Sequence, residues 1–383
     1  MLDLSRLLPG PFCSMILADF GAEVVKVEDT GLGDYMRNIP GLDASYRIFN
    51  RNKQSISLNL KSIEGKEIFY RLVREADVML EQFRPGVTGR LGISYEDLKV
   101  INRGLIYCSL TGYGQDGPRA KRAGHDLNYI ALAGILGLCG EADSPPAIPG
   151  IQIADMAGGG LWSAVAILLA LLARQNTGQG QYIDVAMLDG SISLLALAGA
   201  QFFAGGSAPR QGEATLSGSY ACYSVYQAAD GNYLTLGAVE DKFWSGFCHR
   251  VGHPEWISQQ YAAEPRRGEL RKEVASLFRT KTRLEWLEFF RETDICLEPV
   301  CDLLEVTEDP HVKARRILQQ TPLPDGTTGW QLGVPVKLSQ TPGSIRSIAP
   351  GWGEQTEVIL SKLGYSEVQI NNLKQLGVVR GLS

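Results

Sequence analysis

Two short segments hold the residue types that could move a proton. Gly124-His125-Asp126-Leu127-Asn128-Tyr129 carries one of the four histidines of the chain, and Ile153-Ala154-Asp155-Met156-Ala157-Gly158-Gly159-Gly160 sets a carboxylate ahead of a glycine run. Both lead into apolar stretches of helical spacing. An imidazole and a carboxylate facing one carbon beside a carbonyl form a two-base site, each able to take or return the α-proton. Each residue also has a structural reading: His125 as a helix-capping or core histidine, Asp155 as an N-cap satisfying free N–H groups. In the catalytic reading the helix after Asp155 favours its ionised form, Gly124 permits close approach of the backbone, and the three glycines clear space for a ligand chain.

Other patterns carry less. Gly112-Tyr113-Gly114-Gln115-Asp116-Gly117 matches a dinucleotide fingerprint, but Pro118 and the basic run to Arg122 stand where an apolar helix is required, so a glycine-rich turn is expected. His249 and His253 have zincin spacing without the glutamate, since Arg250 occupies its place, and no metal site is expected. Neither a GxSxG elbow nor a phosphate-binding GxxxxGK[ST] loop occurs. Arg51, Lys53, Lys61, Arg84 and Arg90 read as solvated charges unless they converge on a phosphate-bearing ligand.

The elements that would position these residues alternate. Val24 to Val27, Asp77 to Glu81, Leu105 to Leu110 and Gln181 to Ala186 are β-prone, while Leu7 to Phe20, Ser62 to Glu75, Gly158 to Arg174 and Met187 to Phe203 have helical spacing. Alternation of this kind predicts crossover units around a parallel sheet covered on both faces. Gly205 to Ser219 loses periodicity and marks a boundary. After it, Tyr223–Tyr226 and Tyr233–Leu236 flank an Asp230-Gly231 hairpin turn, followed by three amphipathic helices and a further strand at Pro299 to Leu304. The stretch 322–350 is punctuated by prolines and glycines and returns the chain to the first domain, with a last helix from Glu354 to Leu363.

A chain of 383 residues exceeds the roughly 250–300 at which single cores stop growing, so two domains are expected. A net charge of −5 disfavours nucleic-acid binding by the whole chain. Seven scattered cysteines without metal-ligand spacing predict reduced, mostly buried thiols, and the N-terminus has no export pattern; a cytoplasmic location is expected. The uncharged stretch Met156 to Ala173 is expected as a buried helix and not as a membrane span. It and Met187 to Phe203 have so little polar face that they call for a large partner surface, such as a second subunit.

Collinear motifs then add a resemblance. Leu2-Asp3-Leu4-Ser5-Arg6, Leu17 to Glu28, Leu58-Asn59-Leu60-Lys61, Glu81-Gln82-Phe83-Arg84-Pro85-Gly86-Val87, Gly112 to Pro118 and Thr177 to Val185 resemble the family III CoA-transferases, which include the α-methylacyl-CoA racemases. The resemblance implies an α/β fold: a Rossmann-like large domain formed from both chain ends (1–204 and 322–383), a smaller α+β domain (205–321), and an interlocked homodimer. It implies an acyl-CoA ligand, with coenzyme A as part of the substrate and no separate cofactor. Leu58, Leu60, Lys61, Arg84, Val87 and Arg90 match positions near CoA, and Gly124, Asp126 and Tyr129 match positions nearer the thioester. His125 and Asp155 correspond to the two bases of the racemases and Glu240 to an acid from the small domain. Ile151 stands where racemases carry Asn, and Asp29 where some place an arginine. Three readings follow: a 2-methylacyl-CoA racemase, a CoA-transferase with Asp155 as nucleophile, or a silent acyl-CoA-binding subunit.

Overall fold

The computed structural model describes residues 1–214, 216–322 and 326–381. These form two compact units: Met1–Ala133, Gly150–Leu195 and Lys313–Ser383 in the first, and Gly134–Pro149 with Ala196–Val312 in the second. The strands in chain order are β1 (Leu2–Asp3), β2 (Val24–Glu28), β3 (Lys53–Leu58), β4 (Val78–Glu81), β5 (Ile106–Thr111), β6 (Tyr182–Ala186), β7 (Tyr223–Gln227), β8 (Tyr233–Gly237), β9 (Leu297–Pro299), β10 (Leu318–Pro322), β11 (Thr328–Leu332) and β12 (Val379–Arg380).

The first unit is organised on a seven-stranded sheet of order β12-β3-β2-β1-β4-β5-β6. All pairs are parallel except β12, which runs antiparallel to β3 with Val379 opposite Leu58. Both chain ends therefore build one sheet. Strands covered on both faces lose the polar alternation of a half-exposed sheet, and every residue of β4 and β5 is buried. The sequence order 3-2-1-4-5-6 reverses direction between β1 and β4, and ligands of such sheets bind beyond the carboxyl ends of the strands at that switch point. The segments 4–7 and 82–85 leave those ends and flank the switch point.

Buried charge holds this edge. Lys26 in β2 pairs with Asp34 at 2.8 Å and donates to the Ser5 carbonyl at 2.9 Å, while Asp34 accepts the Leu7 N–H at 3.1 Å. Leu7 has a φ of 61°, a left-handed conformation that a leucine adopts only under such constraint. Lys53 pairs with Asp3 and Arg51 with Asp19, all four side chains being buried. These two cations, expected in solvent, are instead struts. Their charge is tolerated because carboxylates and carbonyls surround it.

The helical readings hold with local changes. Asp155 opens a π-helical stretch, Ala154–Leu161, that runs on as an α-helix, Trp162–Thr177. This helix is not fully buried as expected: Leu161, Trp162, Val165, Leu168, Leu169 and Leu172 are each exposed by more than two-fifths. It is the one helix among the described residues long and apolar enough to cross a membrane. The expected single helix from Met187 to Phe203 is broken into Met187–Ser193 and Ala196–Phe203. Ser191 and Ser193 turn their hydroxyls back onto the Met187 and Gly190 carbonyls, which competes with the helical ladder. The unit boundary falls at this break and not in the Gly205–Ser219 stretch, and residues 134–149 join the second unit.

The second unit packs the antiparallel strands β7-β8-β9 against Trp244, Phe247, Phe278 and Trp286, all fully buried. Its predicted strand at Pro299–Leu304 is β9 followed by a helix, Leu303–Glu308, because Asp302 caps that helix with a capping box to Glu305. In the return segment, of which residues 323–325 lie outside the described residues, β10 and β11 form a hairpin. The last helix reads Thr356–Lys362, and Glu367–Gln375 follows it.

Candidate active site

Beyond the carboxyl ends of β4 and β5 lies a cavity of about 440 Å³ lined by Gln82, Arg84, Gly124, His125, Tyr129 and Asp155, among others. His125 and Asp155 therefore line one space. His125 is exposed and stands immediately before the helix Asp126–Ala133, where its N–H donates to Asn128 Oδ1 at 3.0 Å. Among the described residues its imidazole has no structural partner of the kind a capping or core histidine would show.

Asp155 differs from its expected state. Ile153, not Asp155, sits at the N-cap of the π-helix, and Asp155 makes no capping bond. The cap is supplied by Asp126, whose Oδ1 accepts the Asp155 N–H at 2.9 Å. Burial first, and then the negative charge of Asp126, push the Asp155 carboxyl up to about 7. Desolvation thus outweighs the helix N-terminus, which was expected to favour the ionised form. A carboxyl in this range can both accept and return a proton near neutrality, which a fully ionised one does poorly.

The glycines have packing roles that the sequence reading assigned to ligand space. A Cβ on Gly158 would lie 2.7 Å from both the Met187 carbonyl oxygen and Ser191 Oγ, and one on Gly160 would lie 2.7 Å from Phe12. The run lets the π-helical stretch press against Met187–Ser193 and Pro9–Asp19. Gly112 and Gly124 are filled by the Tyr129 ring, which a Cβ on either would strike at 2.5 and 2.7 Å. Tyr129 donates to the Gly124 carbonyl at 2.6 Å and meets Tyr113 edge-on. The turn from Gly112 and the His125 segment are locked together through one phenol, whose own proton is held by burial up to about 12.

A second cavity, of about 570 Å³, lies beyond β1, β2 and β3 and is lined by Arg6, Asp29, Leu58, Leu60, Lys61 and Val87, among others. Phe83 lines both cavities. Of the residues matched to CoA, Leu58, Leu60, Lys61 and Val87 meet here, while Arg84 lines the first cavity. Arg90 is exposed on the helix Val87–Leu91 and lines neither. Asp29 is not a free acid: it pairs with Arg6 at 2.9 Å and accepts the N–H groups of Gly31 and Leu32, which hold its carboxyl below the usual range. Glu240 belongs to the second unit, exposed at the N-cap position of the helix Asp241–Val251. Gln82, Phe83 and Arg122 were given no role by sequence reasoning. Gln82 and Phe83 follow β4 directly, and the rule that ligands meet strand carboxyl ends would have found them once the strand order was known.

His249 bonds the Ser245 carbonyl and His253 pairs with Glu255, both on the surface, and the described residues contain no cluster able to hold a metal ion. All seven cysteines are free, four of them buried.

Comparisons with known proteins agree on ancestry. The family model for CoA-transferase family III matches residues 1–356. The α-methylacyl-CoA racemase of Homo sapiens is 36% identical, covering 97% of this chain and 94% of that protein. The succinyl-CoA:glutarate CoA-transferase of Mus musculus is 34% identical over 99% of this chain and 89% of its own. The crystal structure of a CaiB/BaiF family protein from Brucella suis superposes with a TM-score of 0.82 at 32% identity, over 94% of this chain and 97% of that one. With its Rossmann-ordered sheet, its two cavities along one sheet edge and these matches, the chain belongs to CoA-transferase family III.

Proposed function

We propose that the protein epimerises 2-methylacyl-CoA thioesters by two-base 1,1-proton transfer through an enolate. The observation that carries this reading is that His125 and Asp155 line one cavity while the Asp155 carboxyl is raised to about 7. One base removes the α-proton, the C–H electron pair moves onto the thioester oxygen, and the conjugate acid of the other returns a proton to the opposite face. A racemase must run this sequence both ways, so each base has to be available in both protonation states. Imidazole meets that requirement as a class, and burial brings the carboxyl to it. The second cavity, with Arg6 and Lys61 at its wall, is the place proposed for the nucleotide end of CoA, and Phe83 for the passage between nucleotide and thioester.

CoA transfer to a free carboxylate is the second reading, supported by the transferase relatives. It needs Asp155 ionised as a nucleophile, and the raised carboxyl depletes that form at neutral pH. The outward apolar face of the helix Trp162–Thr177 is proposed to lie against a second copy in a homodimer, since a contiguous apolar face of this extent marks an interaction site. The deciding experiment incubates the protein with (S)-2-methylacyl-CoA in deuterated water, with a free acid added in parallel, and follows products by mass spectrometry. α-Deuterium with loss of optical purity supports the racemase. New acyl-CoA from the added acid without α-exchange refutes it.

A further inference from the structure

The proposed chemistry leaves one requirement unassigned. When the α-proton departs, charge gathers on the thioester oxygen, and a donor must already be aimed there. The two backbone N–H groups beside the bases are committed: His125 N–H to Asn128 Oδ1 and Asp155 N–H to Asp126 Oδ1. The Tyr129 hydroxyl donates to the Gly124 carbonyl, whereas Thr111 Oγ1 accepts the Gly114 N–H and keeps its own proton to donate. The Thr111 hydroxyl turns about its C–O bond, so a donor with a fixed direction has to come from elsewhere on the wall.

Gln82 lines the same cavity, directly after β4 at the switch point of the sheet, and is half-buried. Its amide orientation is fixed by its neighbour. The Gly10 N–H lies 3.3 Å from the Gln82 side-chain oxygen, and because an N–H can only donate, the atom facing it must be Oε1. The helix Pro9–Asp19 offers this bond at its N-terminus, where Pro9 and Pro11 have no N–H and the Phe12 N–H is taken by the Leu8 carbonyl. The Gly10 N–H is thus the one donor of that first turn left for a side chain, and Gln82 answers it. Nε2 then points the other way, and among the described residues it has no hydrogen-bond partner. An amide whose oxygen accepts a bond at a helix N-terminus is polarised into a better donor on its nitrogen.

We infer that Gln82 is the oxyanion donor of this site, its Nε2–H bonding the thioester carbonyl oxygen and holding the enolate as the α-proton is exchanged between His125 and Asp155. This deepens the acyl-CoA reading and rests on it. The bond breaking is α-C–H, its electron pair ends on the oxygen, and Gln82 keeps its proton throughout. Arg84, Arg122 and Asn128 also line the cavity, but all three are exposed, and a donor is worth most where water is excluded.

The decisive variant is Gln82→Glu. It preserves an acceptor for the Gly10 N–H, and so the helix contact, but replaces the donor with an acceptor. Loss of one oxyanion donor costs on the order of 10²–10³-fold in kcat. Gln82→Glu should therefore lose about that factor in α-deuterium exchange while the acyl-CoA KM stays within roughly threefold. A second readout needs binding alone: the infrared carbonyl stretch of a 1-¹³C-labelled acyl-CoA should fall on binding to the native protein and return to its solution value in Gln82→Glu. Gln82→Met, which adds no charge, should show the same return and covers the case in which the glutamate variant does not fold. A Gln82→Glu protein within tenfold of native kcat, or a bound carbonyl stretch indifferent to Gln82, overturns the assignment. If the native protein binds acyl-CoA but exchanges no α-proton, the racemase reading fails, and the infrared shift still decides the role of Gln82.

Discussion

The raised carboxyl of Asp155 carries a stability cost that can be measured without any substrate. Its ordinary value is 3.8, and in the folded protein burial and Asp126 bring it to about 7. Between those values the folded protein holds a proton that the unfolded chain has released, so stability falls as pH rises through about 4 to 7 and the loss is complete above that range. Each tenfold change in the proton equilibrium is worth ~1.4 kcal/mol, which sets the cost at about 4 kcal/mol at pH 8 and about 0.6 kcal/mol at pH 4. Asp155→Asn retains shape and cannot ionise. It should lose activity yet gain stability relative to the native protein, the gain growing by about 4 kcal/mol from pH 4 to pH 8. Paired thermal melts across that range, at fixed protein concentration, read the effect as a difference in midpoint of several degrees at the alkaline end. An Asp155→Asn protein whose advantage did not grow with pH would refute the claim that this carboxylate is buried against its ionised form.

Three further outcomes follow from the same geometry. Asp126→Asn keeps an oxygen for the Asp155 N–H but removes the like charge, so the acidic limb of the exchange rate against pH should move to lower pH; an unmoved limb would deny the coupling. Gly158→Ala sets a Cβ 2.7 Å from the Met187 carbonyl and should cost about 1–3 kcal/mol, read as a lowered denaturation midpoint. Leu168→Glu with Leu172→Glu on the outward helix face should convert the proposed dimer to monomer in light scattering; an unchanged mass would place the dimer contact elsewhere or remove it.

Much of the frame was legible because burial on both faces of a parallel sheet leaves short apolar runs, as at Val24–Glu28 and Ile106–Thr111. The strand β3 was harder to read, since its alternating Lys53-Gln54-Ser55 start looks polar until Lys53 is seen paired with Asp3. The edge strand β12, of two residues, has no pattern to read and is fixed by pairing with β3. His125 and Asp155 could be nominated by residue type and by motif, but the state of Asp155 could not. It depends first on burial and then on the negative charge of Asp126, which the fold brings beside it across a gap in sequence. The glycines were visible and their purpose was not, because a missing side chain reads the same whether a ligand, a tyrosine ring or a neighbouring helix takes the space. Gln82 has no chemical signature as a residue type. Its significance comes from the sheet order that puts it at the switch point and from the two prolines that leave Gly10 N–H as its partner.

The central claim is that two different bases serve one α-carbon from opposite faces, and the half-reactions of single-base variants test it most directly. His125→Ala and Asp155→Asn would each be incubated in deuterated water with separate (R)- and (S)-2-methylacyl-CoA, following α-deuterium and configuration. Each variant should fail to racemise, and each should still wash deuterium into one enantiomer, the opposite one for each variant, because the remaining base reaches one face. Exchange of the same enantiomer by both variants, or racemisation surviving in either, would contradict the account.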